Sequence, residues 1–169
     1  MYRTNVALST KSRRIGHMAL LCTALAVIIL AVYMQVGNHQ FLNLDDNTYI
    51  TDNHHVTSGI TGQNIIWAFT SIESYNWHPI TWLSHMTDVQ LFGINPRGHH
   101  LTNVAIHTVS TLLLFILLHR LTGTFWRSAS VAALFALHPL HVESVAWAAE
   151  IFIRVKPIFI RVKPTLFIF

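Results

Sequence analysis

Residues 15–36 contain no charged side chain, and that stretch constrains the fold more than any other feature of the chain. A helix rises about 1.5 Å per residue, so about 20 mostly apolar residues cross ~30 Å of hydrocarbon. Lys11, Arg13 and Arg14 stand just before the stretch, as they would before a secretory signal. A signal core, however, runs only about 7–15 residues and ends at a small-residue cleavage site, which does not follow Val36. The segment reads as a retained signal-anchor helix.

Composition agrees. Apolar residues make up 52% of the 169 and charged residues 11%, against about 25% charged in soluble domains. A disordered chain, a coiled coil and a nucleic-acid-binding basic domain are excluded despite the net charge of +4. The single cysteine, Cys22, lies inside the apolar run, which excludes a disulfide framework and a cysteine metal site.

Residues 101–121 form a second candidate span. Residues 128–149 form a third, interrupted by His138, Pro139, His141 and Glu143. The link at 122–127 is short and contains Gly123, which favours an antiparallel hairpin. Arg3, Lys11, Arg13 and Arg14 flank the first span, and Arg120 and Arg127 bracket the hairpin turn. Residues 37–100 carry Asp45, Asp46, Asp52, Glu73 and Asp88 against Arg97 alone. The positive-inside rule puts the N-terminus and the turn in the cytoplasm and residues 37–100 outside. The expected fold is an all-α membrane protein with three transmembrane helices and a large, partly helical extracytoplasmic loop. Its divisions are 1–36 (cytoplasmic N-terminus and anchor), 37–100 (loop), 101–149 (helical hairpin) and 150–169 (tail). The tail repeats IFIRVKP without change at 151–157 and 158–164. Its alternation predicts a strand and an aggregation hazard, and its four basic residues run against the charge rule.

Within the loop, 61–69 and 80–91 read as short amphipathic helices. Trp67, Phe69, Tyr75, Trp77, Trp82 and Phe92 suit either a loop lying at the lipid headgroups or a small cap with an aromatic core. Asp45 and Asp46 adjoin just past the membrane exit. Two neighbouring carboxylates beside lipid repel each other and lose solvation, which suits a general base or a cation ligand, although such pairs are often simply solvated. His100, Asn103 and His107 lie within about 60° on one face of the second span, either binding a ligand or gluing helices. Pro139 removes an amide donor and predicts a kink near His138, His141 and Glu143. Glu143 at this depth is a site candidate, but in an unbroken helix it points about 200° away from His141, so the three do not form a zinc site.

Four strings, FLNLDDNTYITDN (41–53), NWHPITWLSHMTDVQLFG (76–93), GHHLTNVAIH (98–107) and ALFALHPLHVESVAW (133–147), occur in the order seen in one family. They resemble the N-terminal portion of the transmembrane, tetratricopeptide-repeat O-mannosyltransferase-like proteins of the GT-C glycosyltransferase superfamily. The resemblance implies an integral protein of a bacterial inner or ER-type membrane that moves a sugar from a polyprenyl-phosphate donor to a hydroxyl of an acceptor protein, with inversion. It implies a general base at Asp45 or Asp46, and it matches His138, His141 and Glu143 to the family's HPxHxES string, in a donor-phosphate or a structural role. His100, Asn103 and His107 join them as candidate substrate-binding residues. A divalent cation is a candidate cofactor, no metal ligands are assigned, membrane lipids are expected partners, and nucleic acid is not. The family continues with further spans and helical repeats, whereas here the IFIRVKP duplication begins at Ile151 and no 34-residue period is found. The expectation is a truncated transferase, inactive alone. Two other readings stand beside it. One is a haem- or metal-binding membrane protein, prompted by twelve histidines and by His107 and His138 on adjacent spans. The other is an assembly subunit without chemistry.

Overall fold

A computed structural model describes residues 2–42, 46–72 and 77–150, with the side chains of 2–14, 143 and 150 excepted. The tail, and with it the predicted strand, lies outside the described residues. So do Asp45 and Tyr75.

The fold is all-α, with no strand among the described residues. Helix α1 (Tyr2–Tyr33) tightens into a 3₁₀ turn at Met34–Asn38, and Ile15–Asn38 is long and apolar enough to cross a membrane. Helix α5 (Pro96–Thr122) is a second such helix. Helices α6 (Phe125–Leu137) and α7 (Pro139–Ala146) meet at a 52° bend and together make a third if taken as one broken span. The break falls at Pro139, which lacks the amide that would bond the Phe135 carbonyl. Leu20, Val27, Val109, Leu113 and Leu117 stay exposed on the outer faces of α1 and α5. Such faces are stable against acyl chains, not water. The chain is a membrane protein.

Between α1 and α5 lie a π-turn (Asn47–Thr51) and helices α2 (His54–Thr57), α3 (Gly62–Thr70) and α4 (Pro79–Phe92). Side-chain caps set where several of these begin. The Asn53 carboxamide accepts from the His55 and Val56 amides, and the Thr61 hydroxyl from Asn64. Helix α5 starts at 96, before the expected 101, because Asn95 caps it and Pro96 fills its first position. Its first turn is polar, so apolarity alone does not mark it. Gly123, at φ +66°, closes α5 in the left-handed conformation and turns the chain into α6.

Helix α5 is the hub and touches α1, α4, α6 and α7. Two cores follow one another along it. Leu25, Phe115, Ala129 and Ala132 pack at one end, and Ile29, Tyr33, Val36, Val104, Ala136 and Val145 at the middle. Tyr49, Ile50, Val56, Ala68, Trp82 and Met86 form a separate cap core, into which Ala148 and Ala149 insert. Trp82 is fully buried there, stacked on Tyr49 with ring centroids 5.0 Å apart, while Trp77, Phe69 and Phe92 stay exposed. The loop's aromatics therefore divide: some are core, others face outward.

Candidate functional site

The chain after α7 folds back against the start of α5 and against Asp46. Asp46 is wholly buried at this junction. Its Oδ2 accepts from the Leu42 amide at 2.8 Å and its Oδ1 from the Ala149 amide, also at 2.8 Å and 103 residues away. Asn103 donates to the Trp147 carbonyl at 2.8 Å and so grips the same turn. His100 lies within electrostatic reach of Asp46, and the His39 ring packs edge-on against it at 6.2 Å. Asp46, His100 and Asn103, scattered in sequence, are thus brought together.

His107, His138 and His141 gather elsewhere, at the α6–α7 break. A broken helix frees carbonyls, and the Ala136 carbonyl takes donors from two other helices: His107 Nε2 at 3.0 Å and the Tyr33 hydroxyl at 3.3 Å. A carbonyl only accepts, so His107 carries its proton on Nε2. That nitrogen is one a haem would need, and it is already spent. His138 Nδ1 accepts from the Leu140 amide at 3.2 Å and caps the start of α7. The His141 ring lies 4.4 Å from Phe135 and 5.8 Å from His107. The Glu143 side chain lies outside the described residues.

A third cluster contains none of the residues singled out in the sequence. His85 and Asp88 stand three apart on α4 and so share a face, and His99 from the first turn of α5 meets them across the Gly93 corner. One ligand atom from each lies within 4.8 Å of the others. His85 and His99 are 0% exposed and Asp88 is 2%. Asp88 Oδ1 accepts from the Thr102 hydroxyl at 2.7 Å, which leaves Oδ2 facing His99 Nδ1 at 3.5 Å. Neither nitrogen of His85 closes a hydrogen bond with the described residues. Nor do those of His99, which also faces the Gly93 carbonyl, or Asp88 Oδ2. Each buried polar group left so costs about 1–3 kcal/mol. Burial pushes the His85 imidazole down to about 3, assisted by the nearby His99 and His78 rings. Burial also pushes the Asp88 carboxyl up to about 6, against the Thr102 bond that lowers it. The corner tolerates no extra atom: a Cβ on Gly98 would lie 2.5 Å from Phe92 Cβ and Cγ. A readable signal did exist in the H-x-x-D spacing of 85–88. Nothing local to it, however, points to His99.

A groove of about 660 Å³ lined by His17, Met18, Leu21, His119, Phe125 and Trp126 lies at the other end of α5, away from all three clusters.

Relatives carry the junction's meaning further. Over 132 residues, 74% of its length, the chain is 33% identical to the Protein O-mannosyl-transferase Tmtc1 of Drosophila melanogaster. The chain is O-mannosyltransferase-like. It is 31% identical over 135 residues to Protein O-mannosyl-transferase Tmtc2 of the same fly, and 36% identical over 81 residues, 46% of its length, to mouse Protein O-mannosyl-transferase TMTC1. It spans only about 15%, 14% and 8% of those three relatives. No protein-family model matches it. No solved structure matches it.

Proposed function

We propose that this chain supplies the acidic pair of a membrane glycosyltransferase, which transfers mannose from a polyprenyl phosphate to a Ser or Thr hydroxyl of a protein acceptor. The names of its relatives support the reaction class. The observation that carries the proposal is the grip on Asp46, buried and bonded through both oxygens to backbone amides on either side of the junction. A carboxylate so occupied is a brace. In this reading its neighbour in sequence, Asp45, is the general base. In the reaction the acceptor oxygen bonds the anomeric carbon from the face opposite the phosphate. The carbon–oxygen bond to phosphate breaks and its electron pair leaves with the phosphate. Asp45 takes the hydroxyl proton, and the configuration inverts. The phosphate leaves as a stable anion, so no strong acid is required. His100 and Asn103 shape the junction, and His138, His141 and Glu143 stand where the broken helix could meet the donor. In this reading the N-terminus and the Gly123 turn are cytoplasmic, and the junction faces the opposite compartment. Further spans of a GT-C bundle and a repeat array complete the enzyme in this reading.

The test uses full-length fly Tmtc1 in microsomes, with substitutions at the positions aligned to this pair, and measures mannose transfer to an acceptor peptide. The position of Asp45→Asn should lose about 10²–10⁴-fold in rate with the protein still folded. The position of Asp46→Asn should lose thermal stability first. Transfer that survives at the Asp45 position would remove its role as base and favour an assembly subunit without chemistry.

A further inference from the structure

We propose that His85, Asp88 and His99 bind one zinc ion that pins the cap helix α4 to the start of the spanning helix α5. This site is independent of the transferase reading and uses none of its residues.

Geometry comes first. Zinc holds imidazole nitrogen and carboxylate oxygen at about 2.0–2.2 Å in a tetrahedron, so two of its ligands stand roughly 3.3–3.5 Å apart. Asp88 Oδ2 and His99 Nδ1 are 3.5 Å apart, too far for a sound hydrogen bond and right for two ligands of one ion. The three donors lie within 4.8 Å of one another.

The surroundings are those of a metal ligand set. A ligating carboxylate is itself hydrogen-bonded, and Thr102 holds the second oxygen of Asp88 at 2.7 Å. Among the described residues, no lysine or arginine pairs with Asp88, so a cation between the three side chains would meet the only charge there. The donor set is imidazole and carboxylate without thiolate, which suits zinc and discourages copper(I). Three protein ligands leave the fourth position to a solvent molecule. The ion is closed in by its burial, so its work is structural: it neutralises Asp88 and joins two elements whose contact otherwise rests on a tight glycine corner.

The test is metal content of the full chain, purified in detergent with a tag that contains no histidine and dialysed against a weak chelator. One zinc per chain is expected. Asp88→Asn and His99→Gln should each weaken zinc binding at least tenfold, while His17→Ala with His54→Ala, two exposed histidines outside the cluster, should leave one zinc in place. Zinc that survives in both ligand variants, or disappears with the surface pair, overturns the site. Because a ligand variant could misfold, the unaltered chain is also stripped and refilled with cobalt(II). An intense tetrahedral d–d spectrum showing imidazole ligation supports the site, and an octahedral spectrum overturns it. Stoichiometric iron or manganese from cells in place of zinc would overturn the choice of ion.

Discussion

His99 and His107 stand about two turns apart on α5, both buried, and their surroundings are opposite. His107 has a partner of obvious origin, the Ala136 carbonyl freed by the break before α7, and Tyr33 shares it. His85 closes no hydrogen bond with the described residues, and His99 faces the Gly93 carbonyl and, at 3.5 Å, Asp88 Oδ2 without closing a sound bond to either. A buried imidazole beside a broken helix is explained by the backbone it repairs. A pair of buried imidazoles that close no sound bond, packed against each other and a carboxylate, is explained by an ion. The difference separates glue from ligand on one helix.

The widest separation should come from removing metal. At a free zinc level 1,000-fold above its dissociation constant, the ion stabilises the folded chain by about 4 kcal/mol. Chelation should therefore strip hydrogen-exchange protection from α4 and the first turns of α5, and leave the α6–α7 break as it was. Equal loss in both regions would erase the contrast between the two clusters.

A second probe acts on shape alone. Gly98→Ala puts a methyl against Phe92, and overpacking of this kind costs about 1–3 kcal/mol. Because Gly98 adjoins His99, zinc affinity should fall together with the thermal midpoint. Phe92 is half exposed and its Cβ and Cγ are the clashing atoms, so adding Phe92→Gly, which removes both, should restore zinc affinity and most of the thermal midpoint. If zinc affinity stays low in the double variant, the corner does not act by steric fit.

The sequence made the gross plan legible. Apolar length marked α1 and α5, the proline marked the break, and the 61–69 and 80–91 periodicities came within a residue of α3 and α4. Helical spacing also put His100, Asn103 and His107 on one buried face. What it did not show was partners. His107 bonds a backbone carbonyl and Asp46 a backbone amide 103 residues away, and neither carries a side-chain signature. His99 was hidden beside His100, since the two adjacent histidines point to different clusters and only the α4–α5 corner tells which goes where.

The smallest effects test the glue. His107→Leu removes one donor from the Ala136 carbonyl and should cost about 1–3 kcal/mol. Tyr33→Phe removes a longer bond, 3.3 Å, and should cost about 0.5–1.5 kcal/mol. Neither change should respond to zinc, which sets them apart from any variant of the other cluster. Taken together they should exceed their sum, measured by chemical unfolding in micelles. A carbonyl that loses one of two donors keeps the other, and only the double variant leaves it buried with neither. A coupling of about 0.5 kcal/mol or more is therefore expected. Strict additivity would mean that the two donors do not serve one acceptor. The bend at Pro139 would then be held by packing around Phe135 and His141, and His107 would be no better partnered than His99.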